Sequence, residues 1–136
     1  MSGPGVSANL RAALKRRANA RCEYCLVPDG AVMWPHEPDH IIAEQHGGHT
    51  ELANLALACF HCNRRKGPNL ASVDSETGQV VPLFNPRVHR WAEHFRLDET
   101  RIAPLTQIGR VTVELLRLNS PERLLIRQAL LQAGRW

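Results

Sequence analysis

Apolar residues are spaced along this chain in short groups, which predicts short helices and strands. Leu10, Ala13 and Leu14 fall on one face of a helix over residues 8–18, and the hydroxyl of Ser7 can cap its first turn. The chain is therefore expected to begin with an amphipathic helix.

The middle of the chain alternates between loops and short apolar segments. Residues 26–38 contain three prolines and one glycine around the apolar Val32-Met33-Trp34, which predicts a loop with a short strand. Residues 39–42 look like the end of a strand, and residues 55–58 form a short apolar strand or a tight turn. A short helix over residues 62–66 should end at the Gly-Pro pair that follows it.

The second half of the chain predicts a polar turn over residues 74–78 and then a mostly helical tail. Thr106 can cap a helix over residues 107–118, in which apolar residues recur at helical spacing. Ser120-Pro121-Glu122 places a capping residue, a proline and an acid in the order typical of a helix start. We expect a small α+β protein with an N-terminal helix and a mostly helical C-terminal tail.

The composition sets the size of the fold and says little about its function. At 136 residues the chain is long enough for one domain, and 9 glycines and 9 prolines indicate many loops. We divide it into a domain over residues 1–80 and an accessory extension over residues 81–136 that packs on the same domain. The formal charge is +4, and 15 of the 17 basic residues are arginines, which suit forked contacts with phosphate. This balance gives weak support for an anionic partner such as nucleic acid.

Export and membrane insertion have no signal in the sequence. Residues Met1–Val6 lack the apolar core of a signal peptide, and no apolar run approaches the length that spans a membrane. We therefore expect a cytoplasmic protein whose thiols stay reduced.

The four cysteines are the strongest chemical signal in the chain. They form two C-x-x-C pairs, Cys22 with Cys25 and Cys59 with Cys62. Each pair can present two thiolates to one ion, and two pairs complete a tetrahedral structural zinc site. Two disulfides or a redox-active pair are the alternatives, but neither accounts for two matched pairs in a chain without an export signal. With one Zn²⁺ on four thiolates, the charge of the chain falls to about +2.

The segment enclosed by the cysteine pairs resembles the zinc-knuckle branch of the HNH endonucleases, which share the ββα-metal motif. The resemblance rests on the order C-x-x-C, Asp-His-Ile-Ile, Gly-Gly, Asn-Leu and C-x-x-C-Asn-x-x-Lys, which runs from Cys22 to Gly67. Residues 82–95 are also similar, more weakly, to the tail of small stand-alone bacterial members of that family.

The resemblance implies a role for each polar residue inside this frame. Asp39 and Asn63 would hold a catalytic divalent ion, Mg²⁺ or Mn²⁺, through a carboxylate and a carboxamide oxygen. His40 would act as the general base, because a neutral imidazole can take a proton from water near neutral pH. Asn54 would orient that imidazole or fix the loop between the strands.

Simpler interpretations of several of these residues stay open. Asn54 can be a turn cap, and Asn63 can cap the start of a helix through the backbone. Arg64, Arg65 and Lys66 can form a solvated helix face, the usual meaning of a short charge run. Next to a nuclease centre we favour contact between these three side chains and nucleic-acid phosphates.

The spacing also makes physical demands on the site. Asp39 and His40 are consecutive, and consecutive side chains of a flat strand point to opposite faces, so a bend is needed for both to serve one site. Asn63 directly follows Cys62, so the second cysteine pair should set its position and couple the structural zinc to catalysis. Asn63 stands where the family more often has histidine, and Ala43 stands where it often has proline.

The implied function is a metal-dependent endonuclease that hydrolyses DNA phosphodiester bonds, with double-stranded DNA as the expected substrate. One alternative is a zinc-knuckle module that binds nucleic acid without cutting it. Another is a nuclease that acts on RNA or on structured DNA. The sequence fixes neither a recognition sequence nor the oligomeric state.

Overall fold

Helices alternate with two-stranded antiparallel sheets along residues 5–136, the part of the chain that the computed structural model describes. The first residues of the predicted N-terminal domain and of the Met1–Val6 segment lie outside it. Within the described part the helices are α1 Ala8–Arg17, α2 Phe60–Lys66, α3 Trp91–His94, α4 Gln107–Leu115 and α5 Pro121–Gln132. The strands are β1 Glu37–His40, β2 Leu55–Ala58, β3 Ala71–Val73, β4 Val80–Pro82, β5 Phe95–Asp98 and β6 Arg101–Pro104. The predicted small α+β class is confirmed.

Helix α1 forms where its apolar stripe predicts it. The Ser7 hydroxyl accepts a hydrogen bond from the amide of Leu10 at 3.1 Å, which caps the first turn. Leu14 is fully buried and packs with Leu55 and Leu57 of β2. The helix therefore lies against the strand that carries the centre of the fold.

Strands β1 and β2 and helix α2 form a β–β–α unit. The strands pair in antiparallel register, with Asp39 opposite Ala56 and His40 opposite Leu55. All four residues of β2 are buried, so the hairpin is covered on both faces. Helix α2 begins two residues earlier than predicted, at Phe60, because Cys59 serves as its N-terminal cap.

The predicted strand at Val32–Trp34 does not form. These residues make a bend, and the Trp34 ring stacks on the ring of Phe60 with 4.2 Å between the centroids. Side-chain stacking on α2 takes the place of strand pairing for this apolar segment.

The C-terminal extension contains more strand than the sequence predicts. A hairpin joins β5 to β6 through a two-residue turn in which Glu99 has a φ of 54°. Helix α4 is capped by the Thr106 hydroxyl as predicted, but it ends at Leu115 rather than at residue 118. Two residues later Arg117 takes a left-handed backbone conformation with a φ of 51°, which ends the helical path.

The two predicted parts of the chain share one hydrophobic core. Buried residues of both parts pack together, from Tyr24, Ile41 and Ala58 to Phe84, Phe95, Ile102, Leu116 and Leu130. The boundary predicted after residue 80 falls inside β4, which pairs with β3. The extension is therefore part of the same folded body.

The hydrogen bonds of Asp74 connect helix α4 to the turn before β4. Its buried carboxylate accepts two hydrogen bonds from Arg110, at 2.8 and 2.9 Å, and one from Thr77 at 3.0 Å. The hydrogen bonds from Arg110 hold the pKa of Asp74 well below its usual range.

Within residues 5–136 no helix is both long and apolar enough to cross a lipid bilayer.

Candidate active site and metal centre

The four cysteine sulfurs converge on one buried point. The Sγ atoms of Cys22, Cys25, Cys59 and Cys62 all lie within 4.8 Å of one another, and Cys25 and Cys59 are 3.6 Å apart. A tetrahedral zinc ion with Zn–S bonds of about 2.3 Å needs sulfurs about 3.8 Å apart. The cluster therefore fits the predicted four-cysteine zinc site in both its ligands and its spacing.

The first knuckle, Cys22–Cys25, is a tight turn held by the backbone. The amide of Cys22 donates to the carbonyl of Val27, and the amide of Leu26 donates back to Cys22, each at 2.9 Å. Leu26, directly after Cys25, has a φ of 68°, and this left-handed conformation turns the chain back so that the Val27 carbonyl meets the Cys22 amide. The Cys25 amide lies 3.5 Å from the sulfur of Cys22, toward which it donates.

The second knuckle, Cys59–Cys62, is the start of helix α2. The sulfur of Cys59 occupies the capping position and accepts from the amide of Cys62 at 3.5 Å. Asn63 is the next residue in the helix. The position of its side chain is thus set by the same turn that presents two sulfurs to the metal.

The surroundings of the four sulfurs affect their pKa values in different directions. Burial raises the pKa of Cys22 and of Cys62, whereas hydrogen bonds from the other three sulfurs lower the pKa of Cys25. Four thiolates in one dry volume need positive charge between them, which a divalent ion supplies.

Asp39 lies at the interface between β1 and α2. Its carboxylate is fully buried and accepts a hydrogen bond from the Tyr24 hydroxyl at 2.8 Å. The Lys66 ammonium lies 3.3 Å from the same carboxylate and also donates to the carbonyls of His40 and Ile41. The partners of the buried carboxylate thus include a neutral donor and a cation.

Tyr24 links the first knuckle to Asp39. It lies between Cys22 and Cys25, is 1% exposed, and directs its hydroxyl to Asp39. Burial, with the charge of Asp39 beside it, raises the pKa of Tyr24 well above its usual value, so the hydroxyl stays a donor.

His40 follows Asp39 in the strand but has different neighbours, as expected for consecutive residues. Its Nε2 lies 2.9 Å from the Thr50 hydroxyl and 3.8 Å from the carboxylate of Glu44. The imidazole borders a cleft of about 390 Å³ whose other walls include Gly67 and Pro68, just after α2. A group bound in this cleft would lie beside the imidazole.

Asn54 ties down the loop between β1 and β2. Its Oδ1 accepts from the amide of Ile42, and its Nδ2 donates to the carbonyls of Ile42 and His49, all at 2.9 Å. A side chain on Gly48 would meet the Ile42 carbonyl at 1.7 Å, so only glycine allows this close approach. Of the two roles expected for Asn54, these bonds correspond to fixing the loop.

Asn63 faces β1 from the first turn of α2. It is 6% exposed, and its Nδ2 lies 3.3 Å from a carboxylate oxygen of Glu37. Glu37 and Asp39 are two positions apart in β1 and therefore share a face of the strand. The β1–α2 interface thus gathers two carboxylates, a carboxamide and the ammonium of Lys66.

The three basic residues after Asn63 have different surroundings. Arg64 and Arg65 are exposed, and the Arg64 guanidinium lies over the Phe60 ring, 4.7 Å from its centroid. Lys66 departs from the prediction of phosphate contact, because it is 2% exposed and paired with Asp39. The helix turns it inward, three residues after Asn63 and on the same face.

Residues 22–69 match the HNH endonuclease family. The matched segment contains both knuckles, both strands of the β–β–α unit and all of α2. Comparison with curated proteins and with solved structures gave no match. The resemblance seen in the sequence is confirmed for this segment, which we call the HNH segment.

The contacts of three residues of the HNH segment were not predicted, although the sequence contains a signal for each. Tyr24 is enclosed between two cysteines, Glu37 is two residues from Asp39 in a strand, and Lys66 is one helical turn from Asn63. Strand and helix periodicity would have placed Glu37 and Lys66 at the site, and the position of Tyr24 between two zinc ligands would have placed it beside the metal. The contact of Arg123 with the sulfurs, 61 residues beyond Cys62, has no local signal.

Proposed function

We propose that this protein is a metal-dependent endonuclease that hydrolyses phosphodiester bonds of DNA, with double-stranded DNA as its substrate. The observation that supports this most is the family match over residues 22–69, the segment that contains Asp39, His40, Asn54 and Asn63, to which we assign the reaction. The zinc site is structural in this proposal, since its four sulfurs leave no position open for water or substrate.

A second, divalent ion would be held by Asp39 and Asn63. The donors are a carboxylate and a carboxamide oxygen, and hard oxygen donors suit Mg²⁺ or Mn²⁺. Both side chains lie at the interface between β1 and α2, where an ion bound to Asp39 would take over the charge compensation that Lys66 provides in this structure. Such an ion supplies positive charge to a bound phosphate during hydrolysis.

His40 would take the proton from the attacking water. Its imidazole borders the cleft of about 390 Å³, and its Nε2 has Thr50 and Glu44 as neighbours that can orient it. Asn54 would act through the backbone, by holding the loop that carries Thr50 against the end of β1.

Arg64 and Arg65 would bind the phosphate backbone. They are exposed on α2, the helix that carries Asn63, so a strand bound along this helix would pass close to the metal-binding amide. The net charge of the chain and its excess of arginine over lysine support an anionic substrate.

The test is cleavage of supercoiled plasmid by the zinc-loaded protein with Mg²⁺ or Mn²⁺. His40→Ala should lower the rate by about 100-fold or more, the usual contribution of a general base. His46→Ala is the matched control, because His46 is exposed in the loop that follows β1. Equal cutting by His40→Ala and the wild type would contradict the assignment.

The second candidate, a module that binds nucleic acid without cutting it, has one observation in its favour. Asp39 is 0% exposed and already paired with Lys66. A gel-shift measurement beside the plasmid assay separates the two functions. Binding of plasmid DNA that stays intact with every divalent ion would support the module and reject the nuclease.

A further inference from the structure

Arg123 of helix α5, in the C-terminal extension, contacts the sulfurs of the zinc site. The Nη2 of Arg123 lies 2.9 Å from the sulfur of Cys62 and 3.8 Å from that of Cys59. The side chain is 5% exposed, so this contact is made away from water. Both sulfurs belong to the second knuckle.

The guanidinium of Arg123 is fixed from its other side as well. Its Nη1 donates to the carbonyl of Leu116 at 2.7 Å, which closes the segment between α4 and α5. One turn later Arg127 is 1% exposed and donates to the carbonyls of Thr100 and Leu118, each at 2.6 Å. The two arginines share one face of α5, on which Arg123 contacts the sulfurs and Arg127 contacts the backbone carbonyls.

The charges of the site call for a cation at this position. Four thiolates around one Zn²⁺ carry a net charge of about −2 in a volume without water. The Arg123 guanidinium lies against two of these four sulfurs, those of Cys62 and Cys59. A buried guanidinium without such partners would be strongly unfavourable.

We propose that Arg123 is a positioning residue of the zinc site, and that α5 docks on the HNH segment through its hydrogen bonds to the thiolates of Cys62 and Cys59. The C-terminal extension then supplies part of the environment of the metal. Zinc binding and docking of α5 favour each other, because a coupling between two binding events acts equally in both directions.

The experiment compares zinc affinity among three variants by competition with a chromogenic chelator. Arg123→Met should hold zinc about 10- to 100-fold more weakly, the range typical when a partner of a metal ligand is removed. Arg123→Lys keeps the charge and one donor, and it should recover much of the affinity. Arg135→Met is the control, since Arg135 is exposed beyond the end of α5.

A spectroscopic measurement separates positioning from a general loss of stability. In the cobalt-substituted protein, removal of a hydrogen bond to a thiolate should move the sulfur-to-cobalt charge-transfer band to lower energy in Arg123→Met. Zinc affinity and a band equal to those of Arg135→Met would overturn the proposal. If Arg123→Met does not fold, Arg123→Gln, which also lacks the charge, takes its place: a shifted band with weaker zinc binding supports the proposal, and values equal to the control reject it.

Discussion

The two zinc knuckles have the same sequence pattern but reach the candidate active site by different routes. The second knuckle acts through the chain itself, because Asn63 follows Cys62 in the first turn of α2. The first knuckle acts through a side chain, the Tyr24 hydroxyl, which donates to Asp39 at 2.8 Å. In the proposed mechanism one zinc ion would therefore position both Asp39 and Asn63, Asn63 through the chain and Asp39 through a single hydrogen bond.

The C-terminal extension also holds the two knuckles differently. It reaches the first knuckle beside the sulfurs, through the ion pair of Arg87 with Glu23 and the hydrogen bond from Trp91 to the Tyr24 carbonyl. It reaches the second at the sulfurs, through Arg123. Mutations of the extension at the first knuckle should therefore change the stability of the fold, whereas mutation of Arg123 at the second should change the zinc affinity.

The largest effect should come from Cys62→Ser, which removes the zinc ligand next to Asn63. A structural zinc ion in a small domain binds with about 10–16 kcal/mol, which is also folding free energy, and loss of one of its four thiolates removes part of it. We expect loss of zinc from the purified protein together with loss of plasmid cleavage. Metal analysis by mass spectrometry and the plasmid assay measure both. Full cleavage by a zinc-free variant would show that the knuckle does not position Asn63.

Lys66→Met should have the next largest effect, because it removes the buried ion pair between helix α2 and Asp39. Removing the cation from a buried ion pair is expected to destabilise the protein by about 3–5 kcal/mol. Urea unfolding measures this change. Arg65→Met, one position earlier and exposed, should stay within about 0.5 kcal/mol of the wild type. Equal stability of the two variants would mean that Asp39 does not depend on Lys66.

Tyr24→Phe breaks the side-chain route alone. A hydrogen bond to a charged group contributes about 1.5–3 kcal/mol, so urea unfolding should show a loss in this range. Zinc content should stay at one ion per chain, since the ring still fills its place in the core, while cleavage falls because Asp39 loses a positioning bond. Loss of zinc from this variant would contradict the distinction between the two routes.

What could be predicted from the sequence is what local patterns encode. The Ser7 and Thr106 caps, the two knuckles and the short strands of the β–β–α unit each depend on residues a few positions apart. The contact of Lys66 with Asp39 was missed because a short basic run usually marks a solvated face. Only the approach of α2 to β1 turns the third basic residue inward.

The remaining misses depend on tertiary contacts. The β5–β6 hairpin has four-residue strands and turns at Glu99-Thr100, without the glycine or asparagine that usually marks such a turn. Arg123 looks like any surface arginine in an amphipathic helix until α5 packs on the second knuckle. Their environments arise only when distant segments meet.

Arg87→Met should have the smallest effect and sharpens the comparison of the two anchors. Arg87 pairs with Glu23, whose other carboxylate oxygen accepts from the amide of Leu57 at 2.7 Å. The pair is partly exposed, 17% and 12% for the two side chains, so we expect a loss of about 1 kcal/mol in urea unfolding. Zinc affinity should change less than twofold, in contrast to Arg123→Met, because no sulfur is involved. A tenfold loss of zinc affinity in Arg87→Met would place the whole extension, rather than Arg123 alone, in control of the metal site.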